Sequence, residues 1–189
     1  MGPNRGHKLL AVFDGIPLVR RSALIAKNSD AASVIVVVGH CQDHIRKVLA
    51  DLPVTIVANP DYASGMASSL VAGIAAAGAT DGVLVMLADM PAVTKRHVNR
   101  LIAAFRGANA ESIVRAVSQG RQGNPVVLPR SLYHAVGRLQ GDFGARRLIE
   151  TSGRAVIEVE IGEAALIDVD TQEAIIQAGG MPLDSLWTD

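Results

Sequence analysis

The chain has 189 residues, of which 49% are hydrophobic and 19% are charged. A chain of this length and hydrophobicity buries roughly 70% of its unfolded surface, so the composition excludes an intrinsically disordered protein. The 18 basic and 18 acidic residues cancel, and aromatic residues make up only 3% of the chain. These values exclude the basic excess and the aromatic stacking platforms of dedicated nucleic-acid-binding proteins.

Three sequence features predict the cellular location. The longest apolar runs, residues 34–38 and 83–88, are far shorter than the ~20 residues that a membrane helix needs. The first eight residues are mostly polar and do not resemble a signal peptide. Cys41 is the only cysteine, so no internal disulfide can form. We therefore expect a cytoplasmic protein that has no membrane or nucleic-acid partner.

Short apolar runs alternate with amphipathic segments in the first half of the chain. The predicted strands are residues 33–38, 54–57 and 82–87. The first and third of these are apolar on both faces, which is typical of interior parallel strands. The predicted helices are residues 18–27, 42–49, 67–77 and 95–105, and Thr94 is a suitable N-cap for the last of them. This alternation predicts right-handed crossovers and a three-layer α/β/α sandwich with a mostly parallel, Rossmann-like sheet.

The second half of the chain is less regular. Two strands at 111–117 and 125–128 are separated by a turn, which indicates an antiparallel excursion from the parallel sheet. Further strands are predicted at 155–161 and 166–169, and helices at 131–139, 145–151 and 171–178. No internal repeat or linker is visible, so we interpret residues 1–189 as one domain.

Two acidic segments follow predicted strands, and ligands of open α/β sheets bind beyond the carboxyl ends of the strands. Asp89 follows the most apolar strand, where a carboxylate suits a hard cation such as Mg²⁺. Asp168 and Asp170 alternate toward the same side, and Thr171 is itself a good N-cap. If Asp89 and Asp170 converge to 4 Å, their repulsion costs about 4 kcal/mol, which a bound cation would reverse. The alternative is that each aspartate only shapes or caps a turn.

Residues 59–70 pass from a strand end into a helix that begins with small residues. Such a helix start lets a flat ligand approach the backbone and presents free N–H groups. Ser68 and Ser69 could then hydrogen-bond a base or a ribose, whereas the alternative is simple capping of the helix by Ser64. Lys8 and Arg146 are cations that could hold phosphates, although any one surface cation is more commonly only solvated.

Several segments together resemble the MobA-like NTP transferases, and among them most closely the molybdenum cofactor cytidylyltransferases. The matching segments, in order and with similar spacing, are residues 8–19, 59–70, 89–91, 123–125, 141–146 and 168–173. The resemblance implies a sheet of the nucleotide-diphospho-sugar transferase type. It also implies a reaction in which the terminal phosphate of a molybdopterin-type cofactor attacks the α-phosphate of CTP and releases pyrophosphate.

The same resemblance implies roles for individual residues. Asp89 and Asp170 would hold Mg²⁺, and Asp89 and Lys8 would be catalytic, with Lys8 contacting phosphate. The nucleotide would face Gly65, Met66, Ser68 and Ser69, and the pterin would face Asn124 and Arg146. The implied partners are the nucleotide, the pterin cofactor, and a molybdoenzyme or its insertion chaperone.

The chain departs from the family pattern at its start. The family opens with a buried strand and the loop Leu-Ala-Ala-Gly-x-x-x-Arg-Met-Gly, whereas this sequence begins with Met1-Gly2. Loss of about five buried apolar residues removes on the order of 10 kcal/mol, so we expect the natural protein to start upstream of Met1. Without that loop, two alternatives are a non-catalytic cofactor-binding or delivery protein and a nucleotidyltransferase acting on another phosphorylated small molecule. The choice of base stays open for the same reason.

Overall fold

A computed structural model describes residues 8–141 and 144–183 of the chain. Its strands are β1 (Val12–Phe13), β2 (Ile16–Pro17), β3 (Ile35–Val38), β4 (Thr55–Ala58), β5 (Gly82–Val85), β6 (Ile113–Ser118), β7 (Arg121–Pro129) and β8 (Val156–Glu160). Its α-helices are α1 (Leu18–Lys27), α2 (Gln42–Leu49), α3 (Met66–Ala77), α4 (Lys95–Gly107), α5 (Tyr133–Val136), α6 (Gly144–Thr151) and α7 (Gln172–Gln177).

The mixed α/β class predicted from the sequence is confirmed. Strands β5, β7, β6 and β8 form one sheet in that order, and β3 pairs with β4 in a parallel sheet. Strand β7 runs antiparallel to both of its neighbours, whereas β6 and β8 are parallel, so β7 is the predicted antiparallel excursion. Strands β1 and β2 form a small hairpin whose turn residues, Asp14 and Gly15, both have positive φ.

Helices cover both faces of the larger sheet and make three layers. Helix α4 places Leu101 and Phe105 against one face of the sheet, together with Val114 and Val127. On the other face, Ile74 of α3 packs in one buried cluster with residues of α5 and α6. The strand interiors are therefore apolar on both sides, as the uninterrupted hydrophobic runs predict. None of the helices in the described part of the chain is long and apolar enough to cross a bilayer.

The two sheets are separated by an apolar cleft. Strands β3 and β5 each pair on one edge only among the described residues, and both of these strands line the cleft. Helix α3 contributes to its lining, and so do α1 and α4, around a volume of about 1290 Å³. The predicted parallel platform is therefore divided into two parts that the helices connect.

Two predicted elements in the second half are wrong. Residues 166–169 do not form a strand, because the 3-10 turn Gly162–Ala165 precedes them and the N–H groups of Leu166 and Ile167 both donate to Glu163. The predicted helix at 131–139 is shortened to a 3-10 turn, Arg130–Leu132, followed by the single-turn helix α5. In both regions local i→i+3 hydrogen bonds replace the regular structure that apolar periodicity indicates.

The turn Gly162–Ala165 lies directly against β7 at Gly123. A Cβ added at Gly123 would collide with the backbone carbonyl of Ala165, which cannot rotate away as a side chain could. We predict that Gly123→Ala lowers the free energy of unfolding by about 1–3 kcal/mol, as overpacking of a buried contact does. Urea unfolding measures this. Gly107→Ala is the matched control, because a Cβ there meets nothing within 4 Å. Equal stability of the two variants would contradict the close approach.

Candidate functional site

Asp89 stands four residues beyond the end of β5, on a backbone that is held from two sides. The carbonyl of the preceding Ala88 accepts a hydrogen bond from Ser22 Oγ at 3.1 Å, and the carbonyl of Asp89 accepts one from the N–H of Val169 at 2.9 Å. The Asp89 side chain is 17% exposed. Its Oδ1 atom is buried and has no hydrogen-bond partner among the described residues. A buried carboxylate oxygen without a partner is costly, and it suits a cation that the site is built to receive.

The irregular segment before α7 brings two further carboxylates to Asp89. One carboxylate oxygen from each of Asp89, Asp168 and Asp170 lies within 4.8 Å of the others. The contact through Val169, which is fully buried between the two aspartates, fixes this approach. Thr171 caps α7 by accepting a hydrogen bond from the N–H of Ala174 at 3.1 Å, so Asp170 is not needed as the cap. The structure thus brings together the pair that the sequence selects and adds Asp168 to it.

Lys8 occupies the centre of this acidic group. Its Nζ atom lies 2.5 Å from Asp89 Oδ2 and also donates to Asp170 Oδ1. Burial alone would lower the pKa of Lys8, but the hydrogen bonds and charges of Asp170 and Asp89 outweigh burial and raise it. Lys8 in turn lowers the pKa of Asp170 through its hydrogen bond and its charge. Burial raises the pKa of Asp168, and the neighbouring Asp170 carboxylate raises it further.

Three carboxylates and one ammonium give this site an excess of negative charge. Oxygen donors of this type are the ligands that Mg²⁺ and Mn²⁺ prefer, and one buried donor atom, Asp89 Oδ1, has no hydrogen-bond partner in the described part of the chain. The donor set therefore fits a divalent cation. Such a cation would either displace Lys8 from the carboxylates or bind to them together with Lys8.

The two serines of the predicted nucleotide-facing segment make hydrogen bonds within the protein. Asn59, only 5% exposed, donates from Nδ2 to Ser68 Oγ at 2.8 Å and to Ser69 Oγ at 3.0 Å. Ser68 Oγ also donates to the Gly65 carbonyl at 2.8 Å. These hydroxyls hold the loop, so Asn59 is a structural residue that the sequence analysis did not single out.

The start of α3 remains open for a ligand. Gly65 has φ 113° and no side chain caps the helix after it. Ser64 instead donates to the carbonyl of Asp61 at 2.7 Å, which removes the capping alternative. Met66 is 52% exposed beside this start. The first turn of α3 therefore offers uncapped backbone N–H groups next to an exposed thioether.

The predicted pterin-facing residues line the same cavity as Met66 and Ser69. Asn124 of β7 and Arg146 of α6 both line it, and Arg146 pairs with Glu150 at 3.1 Å while its side chain is 80% exposed. Residues 142 and 143 of the segment 141–146 lie outside the described residues. Arg115 also lines the cavity, although it sits in the interior strand β6 and was not among the residues predicted from the sequence. A charged residue within an otherwise apolar strand was the signal that could have found it.

We predict that Mg²⁺ or Mn²⁺ raises the melting temperature of the protein by about 5 °C or more at about 100 times its dissociation constant. The reason is that the cation neutralises the three carboxylates better than Lys8 alone. Asp89→Asn should remove the effect, and Glu111→Gln, an exposed control away from the site, should keep it. Differential scanning calorimetry with and without metal measures this. An unchanged response of Asp89→Asn would rule out the acidic group as the binding site.

The MobA-like NTP transferase domain is the family that matches this chain, over residues 1–156. Among characterised relatives, the nicotine blue oxidoreductase of Paenarthrobacter nicotinovorans is 31% identical over 175 residues. That match covers 89% of this chain and 86% of the relative.

Solved structures show the same fold. Rv0371c of Mycobacterium tuberculosis H37Rv, in complex with manganese, is similar with a TM-score of 0.79 at 22% identity, over 92% of each chain. A CMP:2-keto-3-deoxy-manno-octonic acid synthetase complexed with CTP has a TM-score of 0.72 at 13% identity, over 90% of this chain and 89% of that chain. These neighbours confirm the predicted fold of the nucleotide-diphospho-sugar transferase type.

Proposed function

Because the chain belongs to the MobA-like NTP transferase family, we propose that it transfers CMP from CTP to the terminal phosphate of a molybdopterin-type cofactor. The observation that carries the proposal is the group formed by Asp89, Asp168, Asp170 and Lys8 at the carboxyl end of β5. Carboxylates that hold a divalent cation beside a lysine are suited to a substrate with several phosphates.

In the proposed reaction, an oxygen of the acceptor phosphate forms a bond to the α-phosphorus of CTP. The bond from that phosphorus to the oxygen bridging to the β-phosphate breaks, and pyrophosphate leaves with the bonding electrons. The bound cation would neutralise charge on the α-phosphate and on the leaving group. Asp89 and Asp170 would hold that cation, and Asp168 completes the set of oxygen donors.

The remaining work belongs to residues of the chain. The Nζ atom of Lys8 contacts two of the carboxylates, so its positive charge already lies at the acidic group. Its N–H group that now donates to Asp170 can donate to a phosphate oxygen instead. The uncapped start of α3 after Gly65 binds the nucleotide by donating hydrogen bonds from its backbone N–H groups. Alignment of attacking and leaving oxygens and neutralisation of their charge supply most of the rate in such a transfer.

The nature of the base and of the acceptor rests on the sequence resemblance. The cytidine choice is supported by the residues 59–70 and 123–125, which resemble the cytidylyltransferase subgroup, and by a structural neighbour whose complex contains CTP. The manganese complex of another neighbour supports a divalent cation. We further propose a cytoplasmic site of action and a molybdoenzyme, or its insertion chaperone, as the recipient of the product.

One relative bears the name of an oxidoreductase, which makes the activity assay decisive. We predict Mg²⁺-dependent release of pyrophosphate from CTP when molybdopterin cofactor is present. Asp89→Asn should reduce the rate at least about 100-fold, because charge stabilisation in the transition state is lost. Glu111→Gln should keep the rate of the unmodified protein. Retention of full activity by Asp89→Asn would refute the assigned role of the acidic group.

The same assay separates the alternative functions. A non-catalytic cofactor-binding protein would bind molybdopterin cofactor without release of pyrophosphate. A nucleotidyltransferase for another acceptor would release pyrophosphate only with a different phosphorylated small molecule.

The base preference can be measured without the acceptor. We predict that CTP with Mg²⁺ raises the melting temperature more than GTP or ATP at the same concentration, because only a ligand that fits the folded state shifts the unfolding equilibrium. A larger shift with GTP or ATP would replace CTP in the proposal while leaving the acidic group in place.

A further inference from the structure

Arg115 is a buried cation whose hydrogen-bonding capacity is mostly unused. It lies in β6, where all six residues are buried, and only 5% of Arg115 is exposed. The only hydrogen bond of its side chain among the described residues runs from Nη1 to Gln122 Oε1, at 2.5 Å. Its Nε atom is buried without a partner. A guanidinium carries five N–H donors, so most of them lack an acceptor among residues 8–141 and 144–183.

No carboxylate in the described part of the chain pairs with Arg115. Burial lowers the pKa of Arg115, and Glu150 and Glu158 oppose this only through their more distant charges. Arg146 adds a second positive charge in the neighbourhood. Burial of an uncompensated charge is strongly unfavourable, and proteins rarely retain one unless a ligand or an ion completes it.

Arg115 lines a cavity that extends to Ala88, the residue before Asp89. Gln122, Asn124, Arg146 and Ser69 line the same cavity. The strand register agrees with this placement, since Val126 of β7 lies opposite both Val85 of β5 and Arg115 of β6. Arg115 is thus two strands from the end of β5, a lateral separation of about 9–10 Å.

We propose that the Arg115 guanidinium, supported by Gln122, binds the phosphate of the acceptor substrate, a phosphomonoester. This inference rests on the proposed function and extends it by assigning the acceptor side of the site. A nucleoside triphosphate bound near Asp89 repels the phosphate of an approaching acceptor. The acceptor phosphate therefore needs a positively charged side chain of its own. The planar fork of arginine matches phosphate oxygens in pairs, which positions the acceptor as well as offsetting its charge.

Gln122 has a defined part in this arrangement. It accepts the hydrogen bond from Nη1 and so orients the guanidinium plane while the remaining donors stay free for the ligand. Gln122 is therefore a positioning residue, whereas Arg115 would contact the substrate. Arg121, Asn124 and Arg146 line the same cavity and give the wall its polar and positive character.

The test uses Arg115→Met and Arg115→Lys, with the exposed Arg138→Met as a matched control. Binding is measured first, without metal or nucleotide, as the rise in melting temperature with inorganic phosphate. We expect a saturable rise for the unmodified protein and for Arg138→Met, a loss of the rise for Arg115→Met, and a weakened rise for Arg115→Lys. Removal of an unpaired buried charge should leave Arg115→Met folded, which its own melting curve reports.

Activity is measured second. We expect Arg115→Met to raise the KM for the phosphorylated acceptor about 10–100-fold, with the KM for CTP unchanged, since hydrogen bonds to charged groups contribute on that scale. Arg115→Lys should recover part of this loss, because it keeps the charge and loses the fork. A merely structural role would instead change both KM values or the melting curve.

The outcomes separate the two proposals. Equal phosphate binding by Arg115→Met and the unmodified protein overturns the anion site. Loss of phosphate binding with an unchanged acceptor KM overturns the assignment to the acceptor. Phosphate binding that depends on Arg115, in a protein that releases no pyrophosphate from any nucleotide, supports the anion site and rejects the proposed function.

Discussion

Electrostatic repulsion among three aspartates is the constraint on which the candidate site depends. Asp89, Asp168 and Asp170 come from segments about 80 residues apart in the chain, yet their oxygen atoms lie within 4.8 Å. Three carboxylates can lie this close together only if a cation neutralises part of their charge, and in the structure this cation is the ammonium group of Lys8. Lys8, the first described residue of the chain, is therefore bonded both to the segment just before α7 and to the segment that follows β5. The carboxylates of this site suit a divalent metal ion, and its lysine suits the phosphates that such an ion accompanies.

The general plan of the molecule could be predicted because its signals are local. Apolar runs that are β-branched and continuous indicate interior strands, and the helices at Leu18–Lys27 and Gln42–Leu49 begin and end where their amphipathic pattern does. The approach of Asp89 to Asp170 was only a conditional expectation, because the strand predicted before Asp170 is absent and a backbone hydrogen bond from Val169 to Asp89 brings the two segments together instead. The strand predicted at residues 166–169 is absent because Gly162, with positive φ, and backbone hydrogen bonds to Glu163 turn the chain. The apolar alternation of the sequence indicates neither of these features.

The details of the site that could not be predicted are those made by side chains distant in sequence. Ser68 and Ser69 stay predicted nucleotide contacts, and the hydrogen bonds that Asn59 donates to both hydroxyls are not visible in the sequence pattern. The missing partners of Arg115 are visible only when β6 is placed next to β7. Composition shows which groups exist, whereas pairing in three dimensions determines which of them remain available to a substrate.

The cleft between β3 and β5 has a consequence for the mechanics of the molecule. Its side walls include two strand edges whose backbone donors and acceptors are unpaired among residues 8–141 and 144–183, and helices complete its lining. The interior N–H and C=O groups of an α-helix are already bonded within the helix, so a helix cannot pair with these edges. An extended segment inserted there would satisfy both edges and join the half carrying Asn59 rigidly to the half carrying Asp89 and Arg115. Among the described residues, the hydrogen bond from Ser22 Oγ to the Ala88 carbonyl and the ion pair between Lys8 and Asp89 also connect these two halves, so they contribute to the spacing of the groups that would meet the two substrates.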